Sequence, residues 1–226
     1  MEDKKLKAQR VVEYYMLCNK LKYMLRKGWL DWHVEKERIE SIAEHIYSVQ
    51  MLAIAMSEFE DYKDLDLKKV LMMLAIHETE EIVIGDKTLF DISKEEKEEL
   101  GHKAIEIVLA PLVKNKDKLK ELILEFDERK TPEAKFAFYC DKLECDLQSI
   151  VYDNEDSVDL NNQERNTAYK DKTVQRLLNE GKSFSEMWLL FSQGRYNYDE
   201  NFTVVSNYAL EHNAKKLVRR KQTYGK

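Results

Sequence analysis

A small set of residues stands where its chemistry is awkward for a folded chain: His45, His77, Glu78 and Asp141. His45 sits beside an apolar helical stripe, His77-Glu78 near the end of a second, and Asp141 among apolar neighbours of a third. A carboxylate in such a setting costs free energy unless it is hydrogen-bonded, paired or bound to metal. One shared cation would satisfy the whole set. Imidazoles combined with carboxylates suit a borderline divalent ion (Mn²⁺, Fe²⁺, Co²⁺, Ni²⁺ or Zn²⁺) better than Mg²⁺ or Ca²⁺, which prefer oxygen shells. An ion held this way and keeping open positions would present both water and a phosphate oxygen, which is an arrangement for hydrolysis at phosphorus.

Other residues flank this set. Glu81 lies four residues after His77 and is therefore expected on the same helical face, where it could act as general acid or base. Asp86, just past the expected helix end, could contribute from a loop. Arg26 offers a planar fork for phosphate, and Trp29 an aromatic wall for a sugar or base. His33, His102 and His212 have no acidic partner in register and read as structural.

The elements that must carry these residues are helices. The chain of 226 residues has 43% hydrophobic and 35% charged residues but only 6 Gly and 2 Pro, which favours long helices over sheet turns. The expected fold is all-α, a single domain over residues 1–226. A first helix is expected over 5–26, with Val11, Tyr14, Tyr15, Leu17, Cys18, Leu21 and Leu25 recurring at helical spacing, and a loop over 26–32. Ile42, Ile46, Val49, Ala53 and Met56 mark a helix over 41–59, and Leu67, Leu71 and Leu74 one over 66–84 that Gly85 ends. A charged stretch, 93–99, leads into a helix to Leu109 and reads as solvated surface; another covers about 118–126. Thr131-Pro132-Glu133 combines an N-cap hydroxyl, a first-turn proline and an acid, so a helix should run from there to about Tyr152 with Asp141 in its middle. The Asp/Asn-rich segment 153–166 reads as an excursion, followed by helices near 174–179, 184–192 and 202–221.

A net charge of −6, from 43 acidic and 37 basic residues, gives no electrostatic footprint for duplex nucleic acid or an anionic membrane. A small substrate fits better. The N-terminal sequence lacks the apolar core of a signal peptide and the longest apolar run, Val70 to Ile76, is too short to span a bilayer, so a cytoplasmic protein is expected. Cys18, Cys140 and Cys145 are expected as buried, reduced thiols.

Arg26-Lys-Gly-Trp29, Arg38-Ile-Glu-Ser-Ile-Ala-Glu-His45, His77-Glu-Thr-Glu-Glu81 with Ile-Gly-Asp86, and Thr131-Pro-Glu-Ala-Lys-Phe136 followed by Asp141-Lys-Leu-Glu together resemble the bacterial 5′-deoxynucleotidases and their eukaryotic HD-domain relatives. The resemblance covers about residues 15 to 152, leaving a C-terminal helical extension over about 167–226 without a motif. It implies an HD-domain helical bundle, commonly a homodimer, that hydrolyses 2′-deoxyribonucleoside 5′-monophosphates. It further implies that His45, His77, Glu78 and Asp141 bind one divalent transition metal, that Glu81 and Asp86 are catalytic acids, and that Arg26 and Trp29 hold substrate. One departure stands out: the family's His-Asp dipeptide is His77-Glu78 here, which keeps the carboxylate but lengthens its arm by a methylene. Alternative expectations are another HD phosphohydrolase, cleaving an alarmone, a nucleoside triphosphate or a phosphodiester, or a silent nucleotide- or metal-binding HD module.

Overall fold

A computed structural model describes residues 3–212. Among them regular structure is helical, and the only extended pairing is an isolated bridge between Leu25 and Ser41. The helices are α1 Lys4–Cys18, α2 Lys27–Asp31, α3 Ile42–Met56, α4 Leu67–Ile76, α5 Glu81–Ile84, α6 Lys94–Val108, α7 Lys116–Glu128, α8 Pro132–Asn154, α9 Lys172–Asn179, α10 Phe184–Tyr196 and α11 Glu200–Glu211. The all-α expectation holds. The described residues divide into two compact units, one from residues 3–28 and 39–140, the other from 29–38 and 141–212.

Local chemistry explains where the helices of the first unit begin. Ser41 and Glu44 form a reciprocal capping box at the head of α3, Asp66 accepts from the Lys69 amide at the start of α4, and the Ser93 hydroxyl accepts from the Glu96 amide at α6. Thr131 caps α8 through the Ala134 amide. Each such cap satisfies an amide with no intrahelical acceptor and is worth about 1 kcal/mol. Behind the caps, Met73 and Ile76 of α4 pack with Ile105, Leu109, Leu122, Ile123 and Ala134 in one apolar cluster. Burial of each large member contributes roughly 1.5–3 kcal/mol.

Two expectations change here. The first helix ends at Cys18 and continues as a 3-10 turn over Asn19–Lys22. Its inward face is slight: Tyr14 is half-buried against the core cluster while Val11 and Tyr15 are exposed. The helix expected over 66–84 is two helices, because the Thr79 hydroxyl and amide both turn back to the Ile76 carbonyl, at 2.7 and 3.1 Å, and divert the chain after α4.

The second unit is built around aromatic rings. Trp29 packs edge-on to Tyr152 and tilted against Trp188, and Trp32 packs against Phe184 and Tyr169. The 29–38 segment is fastened by the Gln163 amide donating to the Trp32 carbonyl and by the Glu35 amide donating to the Ser157 carbonyl. Residues 155–167 are irregular, as their composition implies, and α9 to α11 follow. The last expected helix starts at Glu200 and is followed to Glu211; its expected continuation to 221 passes beyond the described residues. All three cysteines are free, Cys140 buried and the others half-buried.

Candidate metal centre

The site of the first unit is set by the head of α3 and the tail of α4. The Leu25–Ser41 bridge, with the Ile42 amide donating to Met24 and the Arg26 amide to Glu40, lays the strand-like segment 24–26 against the capped end of α3. His45 comes one turn later on the buried stripe of α3, fully enclosed. His77 closes α4, and its Nδ1 lies 2.8 Å from the Leu74 carbonyl. A carbonyl only accepts, so Nδ1 carries the proton and Nε2 the lone pair, the tautomer a metal ligand requires. The two rings are 5.6 Å apart, and Phe126 covers His77 at 5.2 Å.

Glu78 completes this group from the turn after α4. Its Oε1 lies 3.7 Å from Nε2 of His45 and 3.7 Å from Nε2 of His77. Those separations are too long for hydrogen bonds and shorter than twice a metal–ligand bond of about 2.0–2.2 Å, so a single cation fits among the three atoms. All three residues are buried, and their donor atoms gather within 4.8 Å of one another. The expected metal-binding residues of this unit are therefore brought together. Imidazole and carboxylate donors of this kind fit a divalent ion. Asp141 is 3% exposed on α8, where it opens the second unit, and Lys142 Nζ lies 2.7 Å from its Oδ2.

Arg26 places a guanidinium nitrogen 3.0 Å from Glu78 Oε1 and 3.9 Å from Asp86 Oδ2. Asp86 in turn accepts from the Lys27 amide at 2.7 Å, and Lys27 Nζ reaches Asp91 at 3.1 Å. The loop after Gly85 is thus strapped to the start of α2, and the stretch expected as a plain loop, 26–32, holds a one-turn helix. Gly85 itself has φ +74°, a conformation glycine adopts without strain, as it terminates α5.

Glu81 is fully buried at the head of α5, a turn removed from α4, so it does not continue His77's helical face. Its Oε1 accepts from Lys97 Nζ at 2.9 Å. Burial, and after it the Glu78 charge, push the Glu81 carboxyl well above its ordinary range, against the opposing pull of Lys97. Burial and Glu78 do the same to Glu80. Helix α6 passes close to this turn because Gly101 has no Cβ: one added there would lie 3.2 Å from Glu80 Cγ.

Lys97 was legible only as part of a charged surface run, yet it reaches the buried acid of the site. His102 likewise has an acidic partner after all, Asp127 at 2.9 Å, on another helix. Trp29 is 2% exposed, its ring centre 5.1 Å from Tyr152 and 5.0 Å from Trp188. That packing lends no support to its expected role as a substrate wall.

The fold and this site define a class: the family model of the HD domain matches residues 18–182, and the chain belongs to the HD-domain family. Within it, the chain is 33% identical over 150 residues to the 5′-deoxynucleotidase HDDC2 of Dictyostelium discoideum, covering 64% of this chain and 78% of that protein. It is 30% identical to the 5′-deoxynucleotidase hdd1 of Schizosaccharomyces pombe, covering 65% and 74% respectively. A solved protein of Pyrococcus horikoshii shares the fold, with TM-score 0.61 and 23% identity over 88% of this chain and 98% of its own. No described helix is long and apolar enough to cross a membrane.

Proposed function

We propose that this chain is a divalent-metal-dependent 5′-nucleotidase that hydrolyses 2′-deoxyribonucleoside 5′-monophosphates to deoxynucleoside and phosphate. The observation that carries the reading is Glu78 Oε1 standing 3.7 Å from both imidazole Nε2 atoms, a donor set shaped for one cation. Relatives that bear the name 5′-deoxynucleotidase support the substrate class. His45, His77 and Glu78 are the proposed ligands, with Asp141 of α8 as the fourth, and the ion is one of the series from Mn²⁺ to Zn²⁺.

When bound, such an ion lowers the pKa of a coordinated water and neutralises charge on a phosphate oxygen. The remaining chemistry belongs to side chains. Arg26, beside Glu78 and Asp86, is the proposed fork for the phosphate, where its fixed planar geometry matches two oxygens. Glu81 holds or passes a proton, a task suited to a buried carboxyl whose affinity for protons is raised. Asp86 fixes the Lys27 amide and so keeps Arg26 in register.

Phosphate release tests the reading. Protein stripped with chelator and reloaded with each ion in turn should liberate phosphate from deoxynucleoside 5′-monophosphates faster than from their ribose counterparts. No release from any nucleoside monophosphate with any of these ions would sink it.

A further inference from the structure

Lys97 belongs to a run of charged residues at the start of α6, and its side chain, 32% exposed, reaches inward to fully buried Glu81. Nζ donates to Glu81 Oε1 at 2.9 Å and to the Lys87 carbonyl at 3.3 Å. The other oxygen of Glu81, Oε2, is buried and has no hydrogen-bond partner. A carboxylate held at one oxygen has its rotamer fixed and its second oxygen open to a proton, whereas the same group unheld in an apolar enclosure would seek another donor. The Lys87 carbonyl lies in the loop that also carries Asp86, so one ammonium ties Glu81 to the loop that carries the second acid.

We infer that Lys97 is a positioning residue of the hydrolytic site: it holds Glu81 by Oε1, leaves Oε2 unbonded, and pins the loop bearing Asp86. The inference rests on the phosphohydrolase reading for its consequence, though the positions it explains do not. A lysine suits the place because its compact ammonium can serve a carboxylate and a carbonyl from one atom, while arginine spreads its donors over a wider plane. Lys97 itself approaches neither His45 nor His77 by hydrogen bond, so metal binding should survive its loss.

The test compares K97M and K97R with the wild type in kcat, KM, bound metal and thermal midpoint. K97M should lower kcat by roughly 10²-fold, the scale of a mispositioned general acid or base, with KM and metal stoichiometry unchanged, and K97R should recover part of the loss. Equal loss in K97M and K97R, loss of metal, or a fall in kcat that merely tracks unfolding would overturn the inference. Crystal structures of K97M and wild type keep the question apart from the phosphatase reading. A changed Glu81 rotamer and a displaced 85–92 loop in K97M support the positioning role even if the wild type proved inert, and an unmoved Glu81 refutes it. A wild type that releases no phosphate would refute the functional reading alone.

Discussion

Asp146 and Asp153 in the second unit and Glu78, Glu80 and Glu81 in the first are acids drawn inward, and their oxygens are met differently. In the second, Asp146 is fully enclosed, yet both oxygens are met: Ser192 Oγ donates to Oδ1 at 2.7 Å and the Tyr198 hydroxyl to Oδ2 at 3.2 Å. Half-buried Asp153 is served by hydroxyls as well, those of Ser183 and Ser185 both donating to its Oδ2. In the first unit, Glu78, Glu80 and Glu81 crowd one turn, and buried oxygens of Glu80 and Glu81 are left without a hydrogen bond. Leaving a buried polar atom unmet costs about 1–3 kcal/mol, so the second arrangement serves stability and the first gives some up. Acids whose shells are closed by neutral hydroxyls organise a core; acids gathered around imidazoles and left partly open are equipped for a cation and a proton.

The sharpest way to break this contrast is at the imidazoles. H77A should abolish metal retention and lower phosphate release by more than about 10³-fold, beyond the ~10–100-fold typical of outer-shell changes, while far-ultraviolet dichroism keeps its helical form. If the variant binds metal as well as the wild type, the centre has been placed wrongly. Next comes E81Q, which keeps the size of the side chain but not its proton affinity. It should cut kcat by on the order of 10³-fold within the range of general acid–base catalysis, with metal stoichiometry intact; activity within a few-fold of wild type would move the proton elsewhere.

A smaller effect is expected from E78D. The longer glutamate arm reaches Arg26 at 3.0 Å and stands equally far from both imidazoles. Shortening it should weaken the site and lower activity roughly tenfold, by analogy with other perturbed metal shells. Strong activity appearing in E78D from an inert wild type would instead mark the native protein as a binding module that glutamate keeps silent.

How much of this was legible in the sequence follows the range of the interactions. Helix starts were readable where Ser41, Asp66 and Thr131 act on amides within a few residues, whereas α6 begins at its Ser93 cap inside the charged run that was expected to precede it. The candidate ligands were readable because a histidine or an acid on an apolar stripe is conspicuous. The break after Ile76 was not, since Leu67, Leu71 and Leu74 carry a period straight toward Glu78 and only the Thr79 hydroxyl, turned back on the Ile76 carbonyl, interrupts it. Lys97 and the His102–Asp127 pair were hidden for another reason. Their partners are separated from them by 16 and 25 residues, and whether a charge in a polar run faces water or a buried acid is decided by tertiary packing. Trp29 was readable as important and not for what, because an indole serves core and ligand by the same apolar surface.

The mildest substitution probes the closed side of the comparison. Burial raises the Asp146 carboxyl well above the ordinary range, and the hydroxyls of Ser192 and Tyr198 pull it back only in part. A folded-state pKa above the unfolded value near 3.9 means that the native state favours the protonated form. The stability this contributes is present below the unfolded pKa and is lost as the pH rises through the folded one. D146N has no proton to lose there, so its stability relative to wild type should improve as the pH rises above the unfolded value near 3.9, measured by urea denaturation at each pH. Its phosphate release should stay near that of the wild type. If D146N instead grows less stable than wild type as the pH rises, the carboxylate is ionised in the native state, and closing a buried acid with neutral hydroxyls would not be what separates the two units.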